Sequence, residues 1–380
     1  MDLFATLGGW GQTLVWTIIP FLFVLTIVVF FHELGHFWVA RRNGVRVEVF
    51  SIGFGRELVG FNDRHGTRWK ISAIPLGGYV KFYGDADAAS TPDFAGASAM
   101  TEAQRRESFF HKSLGQRAAI VAAGPIANFI LAIVIFAGVF MLFGKPITAP
   151  RVDTVVAESA AARAGFQPGD LILSIGGRPI ESFTDMQRIV AASAGETLAI
   201  VVDRGGARVE LSAVPTIHEF KDRFGGTHRI GRLGISRSNQ PGDTQIRRYD
   251  PLSATWMGIQ ETWFVIERTF AYLGGVVMGT QSADQLGGPI RIAQVSGEAA
   301  QVSFAALLML AGLISVSIGL LNLFPIPMLD GGHLVFYAIE AIRGRPMSER
   351  AQEMAFRFGL ALVLMLMIFA TWNDIRGLVG

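Results

Sequence analysis

Leu3 to Phe31, LFATLGGWGQTLVWTIIPFLFVLTIVVFF, runs for 29 residues without a charge and leads straight into His32-Glu33-Leu34-Gly35-His36. An apolar stretch of that length is long enough to cross a bilayer as a helix. On a helix, His32 and His36 lie four apart, share one face and can grip one metal ion. Glu33 then stands beside the metal, where a general base toward an attacking water belongs. Histidine and glutamate next to a membrane-length apolar run are costly to place and are usually functional. The pattern points to a hydrolase that works in or at the membrane.

Composition agrees. Only 17% of the 380 residues are charged and the mean hydropathy is +0.40, too apolar for an ordinary soluble protein. Cysteine is absent, which excludes a disulfide framework and a cysteine-based zinc site. A net charge of +2 gives no reason to invoke nucleic acid. No Lys or Arg precedes Arg41, so the start lacks the positive region of a cleavable signal peptide.

Four segments are apolar enough to span: Leu14 to Phe31, the 27 uncharged residues between Arg117 and Lys145, the 31 between Glu298 and Asp330, and the 16 from Phe358 to Asn373. The loop from Arg41 to Arg117 carries 12 Lys/Arg against 8 Asp/Glu, and Arg343, Arg345 and Arg350 follow the third segment. By the positive-inside rule both loops face the cytoplasm, which puts both termini and the long middle segment outside. The expected division is an N-terminal membrane half (1–149), an extracytoplasmic α+β domain (150–214), an extracytoplasmic linker (215–297) and a C-terminal membrane half (298–380).

Within the α+β domain the pattern predicts a strand over Arg151–Val156, a short helix over Ser159–Ala164 closed by Gly165, and a strand over Leu171–Ile175. A helix over Phe183–Ala192 and a hairpin of Leu198–Asp203 with Ala207–Ala213 follow. Trp256 to Gly279 is aromatic but interrupted by Glu261, Glu267 and Arg268, and reads as an amphipathic helix on the outer membrane surface. Trp69 to Tyr83, broken at Pro75 and Gly77-Gly78, reads as a β-hairpin or re-entrant strand pair. Its expected role, through Gly78, Tyr79, Val80, Lys81 and Phe82, is to take an unwound substrate as an added strand.

Two histidines do not complete a catalytic zinc site, which takes three protein ligands and keeps a fourth position open. A third histidine in the metzincin spacing is missing, since Val39 and Arg42 stand there. Glu48 and Glu57 are the nearest downstream carboxylates. Asp330 is the better candidate: it ends the third span, and spans one and three run the same way, so His32, His36 and Asp330 reach one membrane face.

His32-Glu33-Leu34-Gly35-His36 together with Asn322-Leu323-Phe324-Pro325-Ile326-Pro327-Met328-Leu329-Asp330-Gly331-Gly332 resembles the site-2 protease family of intramembrane metalloproteases. The likeness is closest to its bacterial RseP-like (regulator of sigma-E protease) branch. It extends to Phe50 to Gly55, Gly77 to Lys81, Gly124-Pro125-Ile126-Ala127-Asn128, Gly287 to Ile290 and His333. The resemblance implies a polytopic α-helical membrane protein with four transmembrane helices, an inserted α+β PDZ domain at 150–214 and a small membrane-associated β-hairpin region. It implies zinc held by His32, His36 and Asp330, with Glu33 as the base and Asn322 structural or oxyanion-stabilising. Some relatives carry two PDZ domains, whereas residues 150 to 214 have room for one.

Expected substrates are single-span membrane proteins in the lipid bilayer, such as anti-sigma factors already trimmed outside and signal-peptide remnants. The expected location is a bacterial cytoplasmic membrane. Gly124 and Asn128 read as supports for close helix packing, His333 as a neighbour of the ligands, and His65, His111, His218 and His228 as surface residues. Other classes compete. Two histidines and a carboxylate also suit an Fe(II) oxygenase, but Glu33 has no task there. A non-enzymatic scaffold does not need Glu33 either, and a zinc transporter calls for polar residues along several spans.

Overall fold

The computed structural model describes residues 14–85, 100–221, 227–237, 244–279, 281–283 and 287–379. In chain order the elements are α1 (Ile19–Arg42, entered through a π-helical turn at Leu14–Ile18), β1 (Val47–Asn62), β2 (Arg68–Phe82), α2 (Glu102–Glu107) and α3 (Leu114–Leu142). There follow β3 (Lys145–Thr148), β4 (Thr154–Val155), α4 (Ala160–Ala164), β5 (Leu171–Ile175), β6 (Arg178–Pro179), α5 (Phe183–Ala192), β7 (Leu198–Arg204) and β8 (Ala207–Ala213). Strands β9 (Thr216–Lys221), β10 (Thr227–Arg232), β11 (Ile235–Ser236) and β12 (Thr244–Arg247) precede α6 (Pro251–Val277) and α7 (Pro289–Val302). Last come α8 (Phe304–Asn322), α9 (Asp330–Arg343) and α10 (Glu349–Val379).

The chain forms two compact units. One gathers residues up to Val139 with Thr255–Thr269 and Gly288–Thr371; the other holds Phe140–Ala254, Phe270–Gly287 and the residues from Trp372. All four expected spans are helical, and α1 (counted from Val15), α3, α8 and α10 (through Gly377) are long and apolar enough to cross a membrane. Ser303, extended at φ −174°, separates α7 from α8, and its hydroxyl accepts from the Ala306 N–H at 3.0 Å to cap the second helix. A stripe of small buried residues on α8, including Ala311, Gly312 and Ser315, brings it close to α3, the packing mode helices use where lipid removes the hydrophobic drive. Helix α10 leaves Met365, Leu366, Ile368 and Phe369 exposed, as a lipid-facing helix does.

The sheet corrects the expected Trp69–Tyr83 hairpin. Residues 68–82 form one strand, the turn lies at 63–67, and the partner is β1. Both strands are bent, so 49–52 pairs on one side with 78–81 and on the other with 68–71. The sequence before Trp69 offered no alternation to signal β1, because Gly53 and Gly55, at φ 87° and 83°, bend the strand midway. Phe50 stacks on Trp69 at 4.2 Å and Phe37 meets Trp69 edge-on at 4.9 Å. Each aromatic pair contributes about 0.5–1.5 kcal/mol beyond its buried area. They lock the sheet to the helix one residue past His36.

In the second unit the core is Val152, Ile172, Ile175, Ile200 and Val202, all essentially inaccessible. Strand order is β6-β5-β7-β8. The predicted helices and hairpin form, with Ser159 and Ser182 as N-caps and Gly165 closing α4 at φ 83°. The first strand is shorter than expected, Thr154–Val155. The boundary at 214 is also corrected: β11 pairs with β4, and Leu233 is buried in the same core. The missed strand is two residues long, too short for any periodicity.

The helix expected to lie on the outer surface also differs. Gly258 and Thr262 of α6 are buried four residues apart, and Gly258 faces Ile133 and Ala137 of α3. Ile133 lies nine residues before the end of α3, roughly 14 Å inside it. The first half of α6 therefore packs along a span.

Candidate metal centre

Helix α1 places His32 and His36 one turn apart, with Nε2 atoms 3.2 Å from each other. Asp330 does not end the third span. The helix stops at Asn322, a turn of seven residues intervenes, and Asp330 is the first residue of α9. Within that turn Met328 takes φ 85°, a left-handed conformation that strains a side chain with a Cβ and is held only by its surroundings. The turn brings Asp330 Oδ2 to 3.3 Å from His32 Nε2 and 3.5 Å from His36 Nε2.

These three atoms are the test of fit for a metal. Asp330 Oδ2 is buried with no hydrogen-bond partner among the described residues. Electron-pair donors converging on one point repel each other unless a cation lies between them. Ligand bonds of about 2.0–2.1 Å at tetrahedral angles separate the ligand atoms by about 3.3–3.4 Å. The three edges of 3.2, 3.3 and 3.5 Å match. Among the described residues this is the group of three His/Cys/Asp/Glu with metal-ligand spacing. Glu48 pairs instead with Lys81 at 3.1 Å, and Glu57 with Arg68.

Helix α3 backs both histidines. His36 Nδ1 donates to the Ile120 carbonyl at 2.9 Å. Asn128, fully buried, has its amide nitrogen 3.3 Å from His32 Nδ1. Gly124 stands between them: a Cβ there lies 2.5 Å from Cε1 of His36 and 2.9 Å from Cε1 of His32. In sequence Gly124 and Asn128 carry only the mark of close helix packing. The structure puts them against the rings of His32 and His36, a position that spacing on a separate helix does not signal.

The histidines, Glu33 and Asp330 line a cavity of about 580 Å³ with Asn322, His333, Gly78, Tyr79, Val80 and Phe82. Glu33 is 9% exposed. Of the expected substrate-binding stretch only Lys81 turns away, to Glu48. A Cβ on Gly78 lies 3.0 Å from Glu33 Cγ and 2.7 Å from Val29 Cγ1, so the strand passes directly over the acid. Asn322 donates an amide N–H to the Ile318 carbonyl at 3.1 Å, one turn back, leaving its second N–H for the cavity. The ring of His333 packs on Phe356, with centroids 5.4 Å apart. His65, His111 and His218 are exposed, and the side chain of His228 lies outside the described residues.

Similarity to known proteins identifies the family. The model of peptidase family M50 matches residues 20–366. A protein of Agrobacterium fabrum provisionally named a zinc metalloprotease is 52% identical over 363 residues, 96% of each chain. One of Rhizobium meliloti with the same provisional name is 50% identical, over 97% of this chain and 99% of its own. A metalloprotease of Caulobacter vibrioides is 44% identical, over 94% and 95%. A solved PDZ domain from Listeria monocytogenes matches 23% of this chain and 83% of its own at 24% identity and a TM-score of 0.19, too slight a likeness to fix the fold of the second unit. By the family match and these near-full-length relatives, the chain belongs to peptidase family M50, the site-2 protease family, and is a zinc metalloprotease.

Proposed function

We propose that this protein is an intramembrane endopeptidase that hydrolyses peptide bonds within transmembrane segments of other membrane proteins. The observation that carries the reading is position. His32, Glu33 and His36 sit within the last turns of a helix long and apolar enough to span, and their cavity opens against a strand edge. Segment 78–81 pairs on one side with 49–52, and among the described residues no strand covers its other side. Such an edge supports capture of an unwound substrate by main-chain hydrogen bonds. A helical substrate hides its carbonyls, so extension must precede cleavage.

His32, His36 and Asp330 are the residues that hold the zinc. When bound, zinc would supply a Lewis acid that polarises the scissile carbonyl and brings the pKa of water down to roughly 7. Glu33 takes the proton of the attacking water at its carboxylate and returns it to the leaving amine nitrogen. The free N–H of Asn322 stabilises charge on the carbonyl oxygen as it turns tetrahedral. Gly78 to Phe82 hold the substrate backbone extended across Glu33.

The unit around residues 150–236 is read as a single PDZ domain on the extracytoplasmic side, with both termini, and it screens incoming substrates. Supporting this side is the excess of Lys and Arg between Arg41 and Arg117. Substrates of the anti-sigma-factor kind and signal-peptide remnants fit the RseP-like likeness, and the membrane is then the bacterial cytoplasmic one.

The test is cleavage of a tagged single-span substrate by purified wild type and Glu33→Gln, with zinc quantified in both. Glu33→Gln retains about one zinc per chain and loses about 100-fold to 10,000-fold in rate. Val80→Pro, which disturbs the edge, lowers cleavage with zinc content intact. Wild type that binds zinc and cuts no membrane segment refutes the intramembrane reading.

A further inference from the structure

The two ring nitrogens of an imidazole cannot both present lone pairs and still carry a proton, so the bond made by Nδ1 fixes what Nε2 offers. For His36 the matter is settled by the Ile120 carbonyl, which only accepts. Its Nδ1 carries the proton and Nε2 turns a lone pair toward His32 and Asp330. His32 faces a group that can do either. Asn128 presents its amide nitrogen at 3.3 Å, while its Oδ1 is buried without a partner among the described residues. Nitrogen and oxygen of a carboxamide are interchangeable in shape, and a half-turn of the amide swaps them.

Only two states of this pair are hydrogen-bonded. With the amide N–H donating to His32 Nδ1, the proton sits on Nε2 and points at the metal position. With Oδ1 accepting from Nδ1–H, Nε2 offers its lone pair there. We propose that Asn128 is the positioning residue of His32, its Oδ1 accepting from His32 Nδ1–H so that Nε2 is free to ligate zinc. The proposal rests on His32, His36 and Asp330 being the ligand set.

Asn128 is equipped for the role. Its side chain is shut off from solvent, so water does not substitute for it. Its helix is held from the far side, where the Ser315 hydroxyl donates to the Asn128 carbonyl at 2.8 Å. Both ligand histidines thus take their orientation from one helix, Ile120 serving one and Asn128 the other. Outer partners of this kind typically set metal affinity by 10–100-fold.

The test compares full-length wild type, Asn128→Leu, Asn128→Asp and His36→Ala in detergent, reading zinc affinity by chelator competition and the visible spectrum of the cobalt-loaded protein. Asn128→Leu removes the acceptor at similar volume and weakens zinc binding by about 10–100-fold. Asn128→Asp keeps an acceptor and restores binding to within a few-fold of wild type, with a wild-type-like cobalt spectrum. Asn128→Ala replaces the leucine variant if that one does not fold. Leucine binding like wild type, or aspartate binding as poorly as leucine, overturns the proposal and leaves the ligand set standing. Undiminished zinc binding by His36→Ala overturns the ligand set and the proposal together.

Discussion

Gly124→Ala adds one carbon at the most sensitive point of the centre. The new Cβ stands 2.5 Å from His36 Cε1 and 2.9 Å from His32 Cε1. Non-bonded carbons settle at about 3.5–4.0 Å, so the His36 ring must retreat by about 1 Å. Its Nδ1 is bonded to the Ile120 carbonyl of the same helix as Gly124, so a ring that retreats from Gly124 stretches that bond. A zinc–nitrogen bond tolerates roughly ±0.2 Å. A 1 Å misplacement typically costs about 100-fold in rate, and zinc affinity falls by at least the 10–100-fold seen for outer partners. Helix propensity pulls the other way, since Ala is favoured over Gly by about 0.8–1.0 kcal/mol. Gly138→Ala on the same helix separates the two effects, because nothing lies within 4 Å of its Cβ. The assay is zinc stoichiometry, chelator competition and cleavage for both variants. Gly138→Ala should match wild type in all three. If Gly124→Ala does so too, the close approach of α3 to the ligand rings is not what sets the site.

Gly78→Ala sets a Cβ 2.7 Å from Val29 Cγ1 and 2.8 Å from the Ser51 carbonyl oxygen, so the strand must shift over Glu33; cleavage should fall more than zinc content, and an equal loss of both refutes that separation. Arg117 and Glu340 form a largely buried pair at 2.6 Å, so Arg117→Met alone should destabilise by about 3–5 kcal/mol, with Glu340→Met added in the same chain recovering much of it. Thermal unfolding in detergent distinguishes the two. In the second unit, burial opposes ionisation of Asp170, but the Arg204 guanidinium at 2.8 Å and the Gln167 N–H outweigh it and hold its pKa below the ordinary carboxylate value. The folded pKa is the lower one, so this contribution is complete above an unfolded pKa of about 3.9 and fades as pH falls toward the folded value. Hydrogen-exchange protection across residues 150–213 of the full chain, referred to the intrinsic rate at each pH, should fall between about pH 4 and pH 2 in wild type. In Asp170→Ala the loss, about 3 kcal/mol, should already be present at neutral pH.

Much was legible in the chain because the membrane makes polar groups conspicuous. Four apolar runs, two histidines four apart and an aspartate beyond the third run are local signals, and each reads without knowing what it touches. The α+β elements were legible for the same reason: Ser159, Gly165 and Ser182 mark helix ends through contacts with their own neighbours. What failed to read was long-range. Strand β11 closes on β4 across some eighty residues, and β1 bends at Gly53 and Gly55 to pair on both sides. The docking of α6 on α3 depends on a partner that no hydropathy profile names.

By itself, then, the sequence determined the spans, the motif helix, the capped elements of the second unit and which side chains could bind a metal. Only the tertiary structure decided that His32, His36 and Asp330 meet at tetrahedral spacing, that Gly78 passes over Glu33, and that Gly124 and Asn128 lie against the rings of His32 and His36. Local patterns arise from chain neighbours and repeat with the period of a helix or strand. A coordination site is a coincidence of distances between separate elements, and those distances exist only once the elements have packed.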